Sequence, residues 1–199
     1  MSAGIDNDNV NDNNDDVDVR GALLRQIKDK AVVHGKVTLS SGLEADYYID
    51  LRLVTLDGQA APLVGQVLLD LAAEAGLEFD SVGGLTMGAD PVGTAMMHAA
   101  AARGQRLDAF VVRKAAKAHG MQKRVEGPGI EGRRVLVVED TSTTGDSPLT
   151  AVAAVREAGA EVVGVATIVD RATGAAEKIE QGAGVPYLFA YSKSDLGLD

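Results

Sequence analysis

Apolar and polar positions alternate along this chain in two rhythms, and the rhythm changes at glycine or proline. Leu23, Leu24, Ile27 and Ala31 form a helical stripe over 20–33. Val37–Leu39 and Tyr47–Leu51 read as short strands around the turn Ser40-Ser41-Gly42. Helices are predicted over Pro62–Ala75, Pro91–Arg103 and Pro148–Ala158, stopped by Gly76, Gly104 and Gly159, with a shorter one over Ala175–Gln181. Between them lie strands at Ser81–Leu85, Ala109–Val112, Arg134–Val138, Val162–Val169 and Tyr187–Ala190. The run Arg134–Val138 is almost continuously apolar after its first residue, as a central parallel strand covered on both faces would be. Strands alternating with helices predict an α/β fold with a doubly wound, mostly parallel sheet. Arg113–Glu131 has no sustained period; it is polar, basic and glycine-containing, and reads as a mobile loop between two strands.

Composition adds limits rather than detail. The chain has 199 residues, 46% hydrophobic and 24% charged, which suits one globular domain over 20–199. It has no cysteine, which excludes disulfides, thiolate metal sites and cysteine nucleophiles and is compatible with a reducing cytoplasm. No apolar run approaches the roughly 18 residues of a membrane span. The acidic, Asn-rich start is the opposite of a signal peptide, so a cytoplasmic location is expected.

Net charge is −10, and much of it is concentrated before Arg20, where six Asp and no Lys or Arg occur. Residues 1–19 are therefore expected to be a disordered acidic tail. Without those six of the 29 acids, 23 remain against 19 bases. Neither balance suits nonspecific binding to nucleic acid, which needs a basic footprint. A small anionic substrate in a locally basic pocket remains compatible.

The densest chemistry follows the apolar strand: Val135-Leu136-Val137-Val138-Glu139-Asp140-Thr141-Ser142-Thr143-Thr144-Gly145-Asp146-Ser147. Ligands of open α/β sheets bind beyond the carboxyl ends of the strands. Two carboxylates there can accept hydrogen bonds from a pair of vicinal hydroxyls, as on a ribose. The hydroxyl-rich loop opens a helix, whose first N–H groups suit an anion. Gly145 permits positive φ and close approach of a phosphate. Together these features read a ribose carrying a 5-phosphate. A capped helix, with Asp146 or Ser147 as N-cap, would explain one or two of these residues but not the acid pair plus the hydroxyls. The spacing fits neither a Walker loop nor a dinucleotide fingerprint.

The stretch VLVVEDTSTTGDS resembles the phosphoribosyl-diphosphate (PRPP) motif of type I phosphoribosyltransferases. Three further segments are similar to the orotate phosphoribosyltransferases of that superfamily. They are Arg113-Lys114-Ala115-Ala116-Lys117-Ala118-His119-Gly120, the element Val37–Gly42 with Asp46–Asp50, and Asp170-Arg171. The resemblance spans about 20–191. It implies a small N-terminal hood over about 20–58 on a core over about 59–191. Glu139 and Asp140 would hold the ribose hydroxyls, and Thr141, Ser142, Thr143, Thr144, Gly145, Asp146 and Ser147 the 5-phosphate. Arg113, Lys114, Lys117 and His119 would meet the diphosphate. Thr143, Arg171, Tyr47 and Tyr48 would line the orotate pocket, with Arg171 facing the carboxylate.

The implied reaction joins orotate to PRPP, giving orotidine 5′-monophosphate and pyrophosphate in pyrimidine (UMP) biosynthesis. Mg²⁺ is implied as cofactor, held mainly by PRPP and water rather than by the protein. A homodimer is implied, with the 113–131 loop shared between subunits and no nucleic-acid or membrane partner. Lys117 is the loop residue expected to matter most for turnover. Asp140 is a candidate proton relay, although ribose binding alone would account for it.

The chain departs from the family pattern at three places. Some members carry Lys at the position of Ser40. Some carry Lys where this chain reads Met87-Gly88-Ala89-Asp90-Pro91, leaving no cation in that segment, although N–H groups of a Gly88-Ala89 turn would be a replacement. Positions 115 and 116 are both Ala, where an acid is usual between the two lysines. Two other readings compete: a purine or uracil phosphoribosyltransferase, which Arg113–Gly120 and Asp170-Arg171 oppose, and a non-catalytic regulator that binds PRPP without consuming orotate.

Overall fold

The computed structural model describes residues 18–38, 44–115 and 124–198. The first helix, α1 (Val19–Lys30), starts earlier than the tail expectation allows. Asp18 is its N-cap and accepts the Gly21 N–H at 2.7 Å, so Asp18 and Val19 belong to the helix and not to a tail. The helix also ends earlier than its apolar stripe suggests. Val32 and Val33 open β1 (Val32–Thr38), which pairs antiparallel with β2 (Glu44–Ile49) in a separate two-stranded sheet. β-branched residues there favour the pleated ladder over another helical turn.

The remaining elements are α2 (Arg52–Thr55), α3 (Ala60–Glu74), β3 (Ser81–Leu85), α4 (Ala89–Ala102), β4 (Asp108–Val112), β5 (Val125–Glu126), β6 (Arg134–Ser142), α5 (Asp146–Glu157), β7 (Glu161–Asp170), α6 (Ala175–Ala183) and β8 (Tyr187–Ser192). A short 3₁₀ turn, Ser194–Leu196, follows. The main sheet has the order β5-β4-β3-β6-β7-β8. Every pairing in it is parallel except β4–β5.

The two faces of the sheet have separate cores, and the period of β6 divides its side chains between them. Leu136 and Val138 pack with α1, α3 and α4, including Leu23, Leu68 and Met96. Val135 and Val137 pack with α5 and α6, including Val155 and Ile179. α3 and α4 lie unusually close: a Cβ at Gly65 would sit 2.2 Å from the Ala95 carbonyl oxygen. A mid-helix glycine costs about 1 kcal/mol relative to alanine, and here the close approach requires it.

Winding decides where a site can form. From β3 the chain moves outward to β4, then returns to the other side of β3 to lay down β6, β7 and β8 in order. The winding direction therefore reverses between β3 and β6. Connections leave these strands in opposite directions, which opens a crevice at their carboxyl ends. The turn from β3 into α4 and the end of β6 meet there.

Candidate functional site

β6 continues through Ser142, four residues past the predicted end of the strand. β7 runs alongside it, pairing Glu139 with Thr167, Thr141 with Val169 and Ser142 with Asp170. Thr141 and Ser142 are thus strand residues, and the phosphate loop proper shortens to 143–145. Their hydroxyl oxygens are buried without a protein hydrogen-bond partner among the described residues.

The acid pair sits on this extension. Glu139 is buried and Asp140 half-buried. Glu139 Oε1 accepts the Asp140 N–H at 3.2 Å, and Asp140 Oδ1 accepts the Thr141 N–H at 2.7 Å. Burial first, and then the neighbouring Asp140 carboxylate, push the Glu139 carboxyl up to about 8. Burial also raises Asp140, against the hydrogen bond from Thr141. Such a pair favours a partner that donates hydrogen bonds or brings positive charge.

The opposite wall is the turn from β3 into α4. A Cβ at Gly88 would lie 2.2 Å from Glu139 Oε1 and 2.8 Å from Asp140 Oδ1, so glycine lets this turn come against the acids without displacing either carboxylate. The Thr86–Met87 peptide in the turn is cis. Thr86 Oγ1 donates to Asp90 Oδ2 at 2.7 Å, while Asp90 Oδ1 is buried and unpartnered.

On the other flank, Gly145 has φ +77° and stands at the N-terminus of α5 with no side-chain cap. Neither Asp146 nor Ser147 caps the helix, as the capped-helix alternative required; both lie within its first turn. The first-turn amides are thereby left for an external acceptor. A Cβ at Gly145 would also meet Ile179 at 2.9 Å. Asp146 is turned aside: Lys178 lies 2.6 Å from Oδ1, and Thr144 Oγ1 donates to Oδ2 at 2.7 Å. The hydrogen bond from Lys178 holds its carboxyl below the usual range.

The turn after β7 is fastened to this loop. The Arg171 N–H donates to Ser142 O at 3.2 Å, Arg171 Nη1 to Thr143 Oγ1 at 3.4 Å, and Thr173 Oγ1 to Thr143 O. Arg171 Nε is buried and unpartnered. Beneath it, Asp170 is 5% exposed and accepts from Ala172 N at 2.6 Å and from the Tyr187 hydroxyl at 2.8 Å. Tyr187 has one proton and spends it on Asp170, so Thr167 is the donor in the 2.9 Å contact between their hydroxyls. A chain of hydrogen bonds thus ends on one carboxylate and fixes Ala172 in its left-handed conformation, φ 54°.

The structure therefore gathers Glu139 to Ser147 and Arg171 around one crevice. Arg113 stands at the end of β4, where its N–H bonds Arg124 O and its Nη1 lies 3.5 Å from Glu126. Lys114 is exposed. Tyr47 packs partly on the core and under Lys193, at 5.8 Å, whose own N–H bonds Asp170 O. Tyr48 is close enough to Arg52 to influence it electrostatically. Lys117, His119 and Ser40 lie outside the described residues.

Sequence reasoning missed three residues at this crevice: Arg52, Lys178 and Tyr187. Only Arg52 had a local signal, Asp50-Leu51-Arg52 directly after a strand. Among the described residues no three His, Cys, Asp or Glu side chains gather to hold a metal. The two carboxylates of β6 fit an ion whose remaining ligands come from a substrate.

Residues 52–186 match the phosphoribosyl transferase domain family. The chain is 86% identical over 182 residues to a Streptomyces avermitilis orotate phosphoribosyltransferase, covering 92% of this chain and 99% of that protein. It is 58% identical over 180 residues to its Mycobacterium tuberculosis counterpart, covering 90% and 97%. Among solved structures, M. tuberculosis orotate phosphoribosyltransferase in complex with Fe(III) dicitrate superposes with TM-score 0.82 at 58% identity, covering 90% of this chain and 99% of that one. The same enzyme in complex with PRPP gives TM-score 0.78 at 52% identity, with the same coverage.

The acid pair makes stability depend on pH. The Glu139 carboxyl binds its proton more tightly in the folded chain, near 8, than at its ordinary value of 4.5. The contribution of this group to stability is therefore full below about 4.5 and is lost as pH rises towards 8. Glu139→Gln is predicted to match the wild type near pH 4 and to exceed it by about 1–3 kcal/mol at pH 8. Urea denaturation at the two pH values checks this.

Proposed function

The chain belongs to the phosphoribosyl transferase domain family as an orotate phosphoribosyltransferase, and on that premise we propose a Mg²⁺-dependent cytoplasmic homodimer that moves the phosphoribosyl group from PRPP to orotate. The products are orotidine 5′-monophosphate and pyrophosphate. The observation that carries this reading is the buried acid pair at the switch point, flanked on one side by the uncapped start of α5.

Glu139 and Asp140 accept the ribose 2- and 3-hydroxyls and orient the ring. The loop 143–145 and the first amides of α5 hold the 5-phosphate. Arg171, fixed through Asp170 and Thr143, presents its fork to the orotate carboxylate. Tyr47 and Tyr48 close the far side of the base. When bound, Mg²⁺ would be held mainly by PRPP and water, with the acid pair beside it, and would supply positive charge to the leaving diphosphate.

Breaking the bond from the anomeric carbon to the diphosphate oxygen builds positive charge on the ribose and negative charge on the leaving group. The acid pair stabilises the first. Arg113, Lys114, Lys117 and His119, on the loop shared between subunits, stabilise the second and exclude water on closing. Orotate has an acidic ring nitrogen and attacks as an anion, so no strong protein base is required. Asp140 is the candidate proton relay, although ribose binding alone would account for it.

Loss of orotate absorbance that requires both PRPP and Mg²⁺, with no turnover of purines or uracil, is the expected result. Lys117→Ala is predicted to lower kcat about 10²–10³-fold while orotate affinity stays within about twofold. Equal losses in both would mean that the loop meets the base rather than the diphosphate. Mixing Lys117→Ala with Glu139→Gln, each inactive alone, is predicted to restore about a quarter of wild-type turnover, because half the dimers then contain one intact shared site. No recovery after subunit exchange would contradict the shared loop.

A further inference from the structure

The direction of the diphosphate follows from ribose geometry, given the PRPP reading above. The ring's 2- and 3-hydroxyls face the acid pair and its 5-phosphate faces 143–147. The anomeric carbon lies at the other end of the ring, so its diphosphate points at the turn between β3 and α4. That side is acidic. Glu139 and Asp140 close on Gly88, and Asp90 follows within the first turn of α4. Beyond the metal that PRPP would bring, the three carboxyl groups on this side offer a diphosphate no positive charge, so a protein cation there would be favoured.

Arg52, at the start of α2, stands on that side. It lines one open groove of about 830 Å³ together with Met87 and Asp90. Its charge acts on Asp140 across the crevice. Its guanidinium is already oriented: Nε donates to Asp50 Oδ1 at 2.7 Å and Nη2 to Asp50 Oδ2 at 2.9 Å. Nη1 has no protein hydrogen-bond partner among the described residues, so one edge of the fork is held and another is open. Arg113, the neighbouring cation at the end of β4, faces Glu126. An exposed ion pair between residues two apart adds at most about 1 kcal/mol to stability, so stability gives little reason for an arginine here.

We propose that Arg52 binds the diphosphate of PRPP on the α4 side of the site, supplying the positive charge that the segment 87–91 lacks. Asp50 is its positioning residue. Arginine suits this task because it stays charged and donates two hydrogen bonds in one plane to phosphate oxygens.

Dissecting PRPP into fragments tests the assignment. The full chain is titrated with magnesium pyrophosphate and, separately, with ribose 5-phosphate. Arg52→Ala is expected to weaken pyrophosphate about 10- to 100-fold and to leave ribose 5-phosphate within about twofold. Arg52→Lys restores part of the loss, because it keeps the charge without the fork. In turnover, kcat/KM for PRPP falls while KM for orotate holds. If Arg52→Ala is unstable, Arg52→Gln, which keeps the stem and a donor to Asp50, is read in the same way. Unchanged pyrophosphate affinity overturns the assignment, and so does an equal loss for both fragments, which would mark a structural role. A wild-type protein that binds neither fragment overturns the PRPP reading and this assignment with it.

Discussion

Two carboxylates on consecutive residues are carried into a crevice by an apolar strand, and much of the surrounding structure answers to their repulsion. Glu139 and Asp140 end a run whose four preceding residues, Val135 to Val138, are completely buried. The core therefore anchors the acids and leaves them little freedom to separate. The backbone N–H groups of Asp140 and Thr141 absorb part of the charge. The rest is left as stored electrostatic cost, visible as the raised Glu139 carboxyl. Perturbed carboxyls of this kind cluster at functional sites, and in the proposed function a ribose would relieve the cost by donating hydrogen bonds.

The neighbouring elements are built to this constraint. Gly88 brings the start of α4 against the carboxylates, which a Cβ would push aside. Gly145 turns the chain away from β6 without a cap, which leaves the first amides of α5 without a side-chain acceptor. The acids thus lie on β6 and the uncapped amides follow it, while Arg171 follows β7, so in the proposed function two adjacent strand ends meet the two substrates. The reversal of winding between β3 and β6 opens the crevice they share. Rigidity comes from the network under Arg171, where Thr167, Tyr187 and Asp170 pass hydrogen bonds to one buried carboxylate.

Much of this is legible in the sequence, and the parts that are not share a cause. Local pattern located the acid pair, the glycine loop and every helix of the main domain, because burial period and capping are short-range. β6 runs past its predicted end because Thr141 and Ser142 look like loop residues, and only the partner strand β7 keeps them extended. α2 and β5 are four and two residues long, too short to show a period. Arg52 was missed because its place depends on β2 and α2 delivering it beside a turn that follows β3. Gly88 reads as a flexible position until the acids of β6 are seen against it. The basic loop is the reverse case: its chemistry is plain in the residues, while Lys117 and His119 lie outside the described structure.

The central claim is that the acid pair binds the ribose of PRPP; with the Glu139 carboxyl pushed up to about 8, that binding is predicted to displace a proton. Calorimetric titration with PRPP and Mg²⁺ at pH 7, in two buffers of different ionisation enthalpy, measures that proton directly. The account predicts release of a substantial fraction of one proton on binding, and no release by Glu139→Gln. Binding with no proton exchange in the wild type, or the same release in the variant, would contradict it.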